Sequence, residues 1–71
     1  MSNIKPSSYS ELASVIEKLP ILVKENRRRL GLSIRGAATE IDCAFSTISR
    51  IENYKNINLA NTVSILRWLG R

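Results

Sequence analysis

The stretch SIRGAATEIDCAFSTISRIENY, residues 33–54, decides the fold of this 71-residue chain. Ser33 makes a good helix N-cap, because a hydroxyl just ahead of a helix accepts from one of its first unpaired backbone N–H groups. After it, Ala37, Ala38 and Ile41 fall at the spacings that keep one helical stripe facing inward. Two adjacent alanines in that stripe let another helix approach closely. Asp42 follows the last apolar residue, where a sharp turn needs a left-handed residue, and Asp tolerates that conformation better than most non-glycine residues. The turn therefore falls at about Asp42 and Cys43.

From Ala44 or Phe45 a second helix is expected to run to Asn53, with Ile48 and Ile51 as its buried pair. At about 100° per residue, Ser46, Ser49, Arg50 and Asn53 lie opposite those isoleucines, with Phe45 and Thr47 on the flanks. This outward face is chemically specific. An arginine fork matches guanine O6 and N7, serine and threonine hydroxyls bond base edges or phosphates, and an aromatic or methyl group touches the thymine methyl. The pattern reads as a helix-turn-helix whose second helix enters a DNA major groove.

Upstream, Pro20 would break or kink a helix that ran through it but is tolerated in the first turn of a new one. A helix over about residues 20–30 follows, stopped by Gly31, with Ile21, Leu22 and Leu30 as core and Val23 on the border. Lys24, Arg27, Arg28, Arg29 and nearby Arg35 face only Glu25. Singly, Arg28 or Arg29 fits a solvated helix end, where cations favour the dipole. As a group beside the motif these cations read as a phosphate clamp. Residues 1–7 read as a loose arm. Ser8 with Glu11 has the form of a capping box, ahead of an apolar face of Leu12, Val15, Ile16 and Leu19. Gly36 would admit close approach of either DNA backbone or another helix, and Cys43 reads as packing.

Downstream, residues 55–57 form a loop and Asn58 caps a last helix over residues 59–69. Its inner stripe is expected to hold Leu59, Thr62, Val63 and Leu66, joined by Ile65 or Leu69. Trp68 reads as a core or satellite residue closing over the first helix.

The bulk properties agree with a single small domain spanning residues 1–71. Such a chain buries only about 60% of its unfolded surface. Eleven basic and six acidic residues give a formal charge of +5, and a pI near 10.0 points to a polyanionic partner. Hydrophobic content of 44% with helical spacing argues against a disordered basic tail. One cysteine permits no internal disulfide, and with no histidine a structural zinc site is excluded. The nine serines and single thiol lack the usual general base, so no catalytic constellation is expected. Apolar runs are far short of a membrane span and no signal-peptide core is seen, which implies a cytoplasmic protein.

Leu32, Ser33, Arg35 and Ala38, and above all the run STISRIEN at residues 46–53, resemble the phage repressor and Cro type of helix-turn-helix. The resemblance is ungapped over residues 27–54 and looser over residues 59–70. It implies base reading by Phe45, Ser46 and Arg50, with Thr47 and Ser49 secondary. It implies phosphate binding by Asn53 and Lys55 and an ion pair between Glu52 and Arg27, which also touches phosphate. Departures are Ile34 in place of a phosphate-contacting glutamine, Asp42 and Tyr54 in place of glycines, and Ala44 in place of a capping hydroxyl. Relatives often carry a further helix beyond the position of Gly70, so the additional N-terminal helix is expected to cover the surface which that helix would bury.

Together these readings give an all-α, lambda-repressor-like bundle of about five short helices containing a helix-turn-helix, with an additional N-terminal helix. The expected function is sequence-specific binding of double-stranded DNA, as a repressor or Cro-like regulator of transcription in a phage or its bacterial host. Phosphate contacts would come from Arg27, Arg28, Arg35, Asn53 and Lys55 and selectivity from Phe45, Ser46, Thr47, Ser49 and Arg50. A homodimer on a palindromic site is a possible assembly. No cofactor, metal, membrane or small-molecule substrate is expected, and no enzymatic activity. Alternatives are a protein-interaction module of antitoxin-like type and a sequence-tolerant architectural or recombination-associated DNA binder.

Overall fold

Prolines open the first two helices. A computed structural model describes the backbone of residues 6–71 and the side-chain surroundings of residues 9–71. Pro6 is the first residue of α1 (Pro6–Glu17), a position where its fixed φ fits the helix and its missing N–H is not needed. The helix thus starts ahead of the expected capping box and takes Ser7 and Ser8 into itself. The rest of the expected arm, residues 1–5, lies outside the described residues. Lys18 separates α1 from α2 (Leu19–Arg29), with Pro20 in the first turn of α2, so the break falls where the proline requires it.

Three further helices follow: α3 (Ile34–Ile41), α4 (Phe45–Glu52) and α5 (Leu59–Leu69). Among the described residues there is no strand, and no helix is long and apolar enough to cross a membrane. The core gathers Leu19 and Val23 from α2, Ala37, Ala38 and Ile41 from α3, Ile48 and Ile51 from α4, and Ile65 and Trp68 from α5. Helix α4 packs between α2 and α3, and α5 closes on both of those helices from another side.

Several core assignments move by part of a turn. Because α2 begins at Leu19, its inward row is Leu19 and Val23, four residues apart, and Leu22 is only partly covered. Ile21 and Leu30, both expected inside, are exposed. In α5 the inward row is Ile65 and Trp68, edged by Thr62, Leu66 and Leu69. Leu59 is 77% exposed and Val63 also faces out. Trp68 is 2% exposed, a core residue. Its ring lies in the core, and its Nε1–H donates to Glu40 Oε1 of α3 at 3.1 Å.

Helix α1 packs chiefly against α2 and leaves Leu12, Val15 and Ile16 exposed. Val15 borders a groove with Leu22, Leu66 and Leu69 without filling it. The expectation that α1 covers the body is therefore corrected. The one fully buried member of its supposed apolar face, Leu19, belongs to α2, and the break at Lys18 turns the remaining stripe away. The molecule is accordingly elongated, 38 × 23 × 21 Å.

Candidate nucleic-acid interface

Local chemistry fixes the α3–α4 pair. Ser33 caps α3, its Oγ accepting from the Gly36 N–H at 3.0 Å. Asp42 takes the left-handed conformation, φ 67° and ψ 52°, and the Cys43 N–H reaches back to the Ala38 carbonyl at 3.0 Å. Ala44 starts α4 from extended backbone with no side-chain cap, as its methyl dictates. At the far end Tyr54 is also left-handed, φ 60°, and the Lys55 N–H donates to the Arg50 carbonyl at 2.8 Å. Among the protein's own atoms, Gly36 is approached most closely by its own segment and not by another helix. An added Cβ would lie 3.3 Å from Leu32 Cδ2 and 3.4 Å from Ser33 Oγ, both of its own chain segment.

With Ile48 and Ile51 buried, α4 turns Phe45, Ser46, Arg50 and Asn53 to solvent, with Ser49 half-buried and Lys55 exposed just beyond. Thr47 does not join them. At 8% exposure it sits with Ile48 and Ile51 on the buried side, and its Oγ1 accepts from Asn61 Nδ2 of α5 at 3.3 Å. The reason is helical phase: residue 47 lies one turn ahead of residue 51 and shares its face. The Asn53 amide folds back to donate to the Ser49 carbonyl at 2.7 Å.

Arg50 is exposed but anchored. Its Nε and Nη2 both donate to the Asn56 carbonyl, at 3.1 and 3.0 Å, tying the loop after α4 to the helix. These two donors form one edge of the guanidinium. The other paired edge, Nη1 with the second Nη2 proton, is left for an outside acceptor. Arg35 from the first turn of α3 places its Cζ 4.9 Å from the centroid of the Phe45 ring, so the two candidate contacts stack on each other.

Arg27 and Glu52 form a two-point ion pair between α2 and α4. Nε donates to Oε2 at 2.8 Å and Nη2 to Oε1 at 3.0 Å, with side chains 15% and 8% exposed. Nη1 donates to the Leu32 carbonyl at 3.1 Å. Hydrogen bonding to Glu52, opposed by burial and aided by the carboxylate's charge, raises the Arg27 pKa above its ordinary value. The stability that comes with the raised Arg27 value is present at neutral pH and is lost as pH rises through that value in strongly alkaline solution. These bonds use three of the five guanidinium N–H groups, so the ion pair and the Leu32 carbonyl hold most of Arg27 inside the protein. Arg28 is exposed and borders a shallow groove with Glu52 and Tyr54. Cys43 packs against the core, and burial, with Asp42's charge second, pushes its thiol pKa up, which keeps it protonated at neutral pH. Among the described residues no three potential metal ligands cluster.

Sequence reasoning missed three contacts: Arg35 with Phe45, Arg50 with Asn56, and Thr47 with Asn61. The first had a signal, since a tight turn brings the starts of adjoining helices within reach of long side chains. The second is a side chain meeting a loop carbonyl, which leaves no trace in residue type. No protein-family model, curated protein or solved structure matched the chain in comparison.

Proposed function

We propose that the protein binds double-stranded DNA sequence-specifically, with α3, the Asp42 turn and α4 acting as a helix-turn-helix of lambda-repressor-like type and α4 entering the major groove. In this reading it is a repressor or Cro-like regulator of transcription, of phage or bacterial origin. The observation that carries the proposal is the two-sidedness of α4. Ile48 and Ile51 are buried, while Phe45, Ser46, Arg50 and Asn53 form an open row of hydrogen-bonding and methyl-contacting groups. Arg28 and Lys55 are exposed cations available for phosphates, and the +5 formal charge favours a polyanion.

Arg50 is the residue on which selectivity rests most. Arg50→Ala should weaken binding to the preferred duplex by about 1–3 kcal/mol and relax preference at one base pair. Equilibrium binding to the preferred duplex and its single-base variants measures this. Discrimination unchanged at every position would refute the assignment. Because Arg50 also holds Asn56, a thermal melt of the variant separates loop loosening from lost recognition.

One observation favours a second reading, a protein-interaction module. Leu12, Val15 and Ile16 form an open apolar stripe on α1, the kind of surface that a protein partner covers. Tight binding to a protein, with no selective DNA affinity, would support it over the first.

A further inference from the structure

We infer that Arg35 and Phe45 act as one composite reader of a thymine lying next to a guanine, Phe45 packing on the thymine C5-methyl and Arg35 donating to guanine N7 and O6. This inference rests on the DNA-binding reading above and assigns the chemistry of one end of the α4 face.

The stack is the starting observation. Arg35 Cζ stands 4.9 Å from the Phe45 ring centroid, joining the first turn of α3 to the first residue of α4. A guanidinium lying on an aromatic face is held through its own flat face, so its N–H edges remain available for hydrogen bonds. Among the described residues the Arg35 guanidinium donates no hydrogen bond and pairs with no carboxylate. An exposed arginine without such partners samples many rotamers, and the ring narrows that range before any ligand arrives. The cation is thereby held at the N-terminal end of α4, the end of a recognition helix that contacts base edges.

Phe45 supplies the second half. It keeps 45% of its surface open, at the head of a row otherwise made of serine, arginine and asparagine. It has no polar atom, and the apolar group that base edges offer in the major groove is the thymine C5-methyl. An arginine fork matches guanine best. Successive bases are about 3.4 Å apart along the helix axis. Two groups stacked at 4.9 Å therefore reach neighbouring base pairs rather than distant ones.

The competing role for Arg35 is a phosphate clip, and the test separates the two. A preferred duplex is obtained by selection with the intact chain, then remade with deoxyuridine for the thymine and 7-deazaguanine for its neighbour. Loss of the methyl should weaken binding of the wild type roughly fourfold, and leave Phe45→Ala unaffected. Loss of N7 should weaken the wild type but not Arg35→Ala, which has no donor to place there. The salt dependence of Arg35→Lys should match wild type. Thermal melts of both variants check folding, and both side chains lie at the surface.

A selected site with no thymine beside a guanine overturns the inference while leaving DNA binding intact. So does a uracil effect that persists in Phe45→Ala. Full guanine preference in Arg35→Ala, with the salt slope lowered by about one, assigns the phosphate role instead. Failure of the wild type to enrich any sequence removes both the inference and the reading beneath it.

Discussion

Trp68→Ala is expected to lower stability by about 3–5 kcal/mol, the range for emptying a fully buried aromatic site. A chain of 71 residues has roughly 4–10 kcal/mol in total, so the variant should be marginal or unfolded at 25 °C. The effect is large because Trp68, 2% exposed, is the largest fully buried side chain in the core, and truncating it leaves a space that its neighbours can only partly fill. Trp68→Phe should be milder, about 1–2 kcal/mol, since it keeps most of the ring volume and frees only the exposed Glu40 carboxylate. Urea unfolding followed by circular dichroism measures both. A change below about 1 kcal/mol for Trp68→Ala would mean that the α3–α5 contact is not built around this ring.

Glu52→Ala should cost about 3 kcal/mol by leaving the Arg27 guanidinium, only 15% exposed, with the Leu32 carbonyl as its remaining partner. For a domain of this size that is a fall of more than about 10 °C in melting temperature. The pair links α2 to α4, so the loss should also loosen the helix that carries the candidate base-reading row. Replacing both members, Arg27→Met with Glu52→Leu, should recover most of the stability, because no charge is then left stranded. A Glu52→Ala melt superimposable on wild type would show that the observed bonds contribute nothing. A double variant no better than the single one would show that the damage lies elsewhere than in the stranded arginine.

The fold was legible wherever local chemistry and helical phase acted together. Ser33, the left-handed Asp42, the breaking effect of Pro20 and the cap at Asn58 each have a residue-type signature, and they bounded four of the five helices. Phase was harder to read where apolar residues crowd a helix. In α2 the run Leu19, Ile21, Leu22 and Val23 offers two stripes, and only the true start at Leu19 chooses between them. In α5 the bulk of Trp68 sets the inward face, which turns Leu59 and Val63 out.

The candidate interface was legible in outline for the same reason. The buried Ile48 and Ile51 determine which way the row of residues 45, 46, 50 and 53 points. Thr47 was misassigned because it was read as a flank, whereas it lies one turn ahead of Ile51 on the buried face, where Asn61 of α5 meets its hydroxyl. The anchoring of Arg50 by Asn56 and the stacking of Arg35 on Phe45 depend on three-dimensional proximity that spacing alone does not encode.

Selection of the intact chain against a library of random-sequence duplexes tests major-groove reading by α4 most directly. The expected result is a defined consensus, with one position relaxed in Arg50→Ala. A palindromic consensus with half-sites about one helical turn apart would add that the chain binds as a two-fold dimer, and an asymmetric one that it binds as a monomer. Binding without enrichment of any sequence, in a protein whose melt confirms that it is folded, would contradict it.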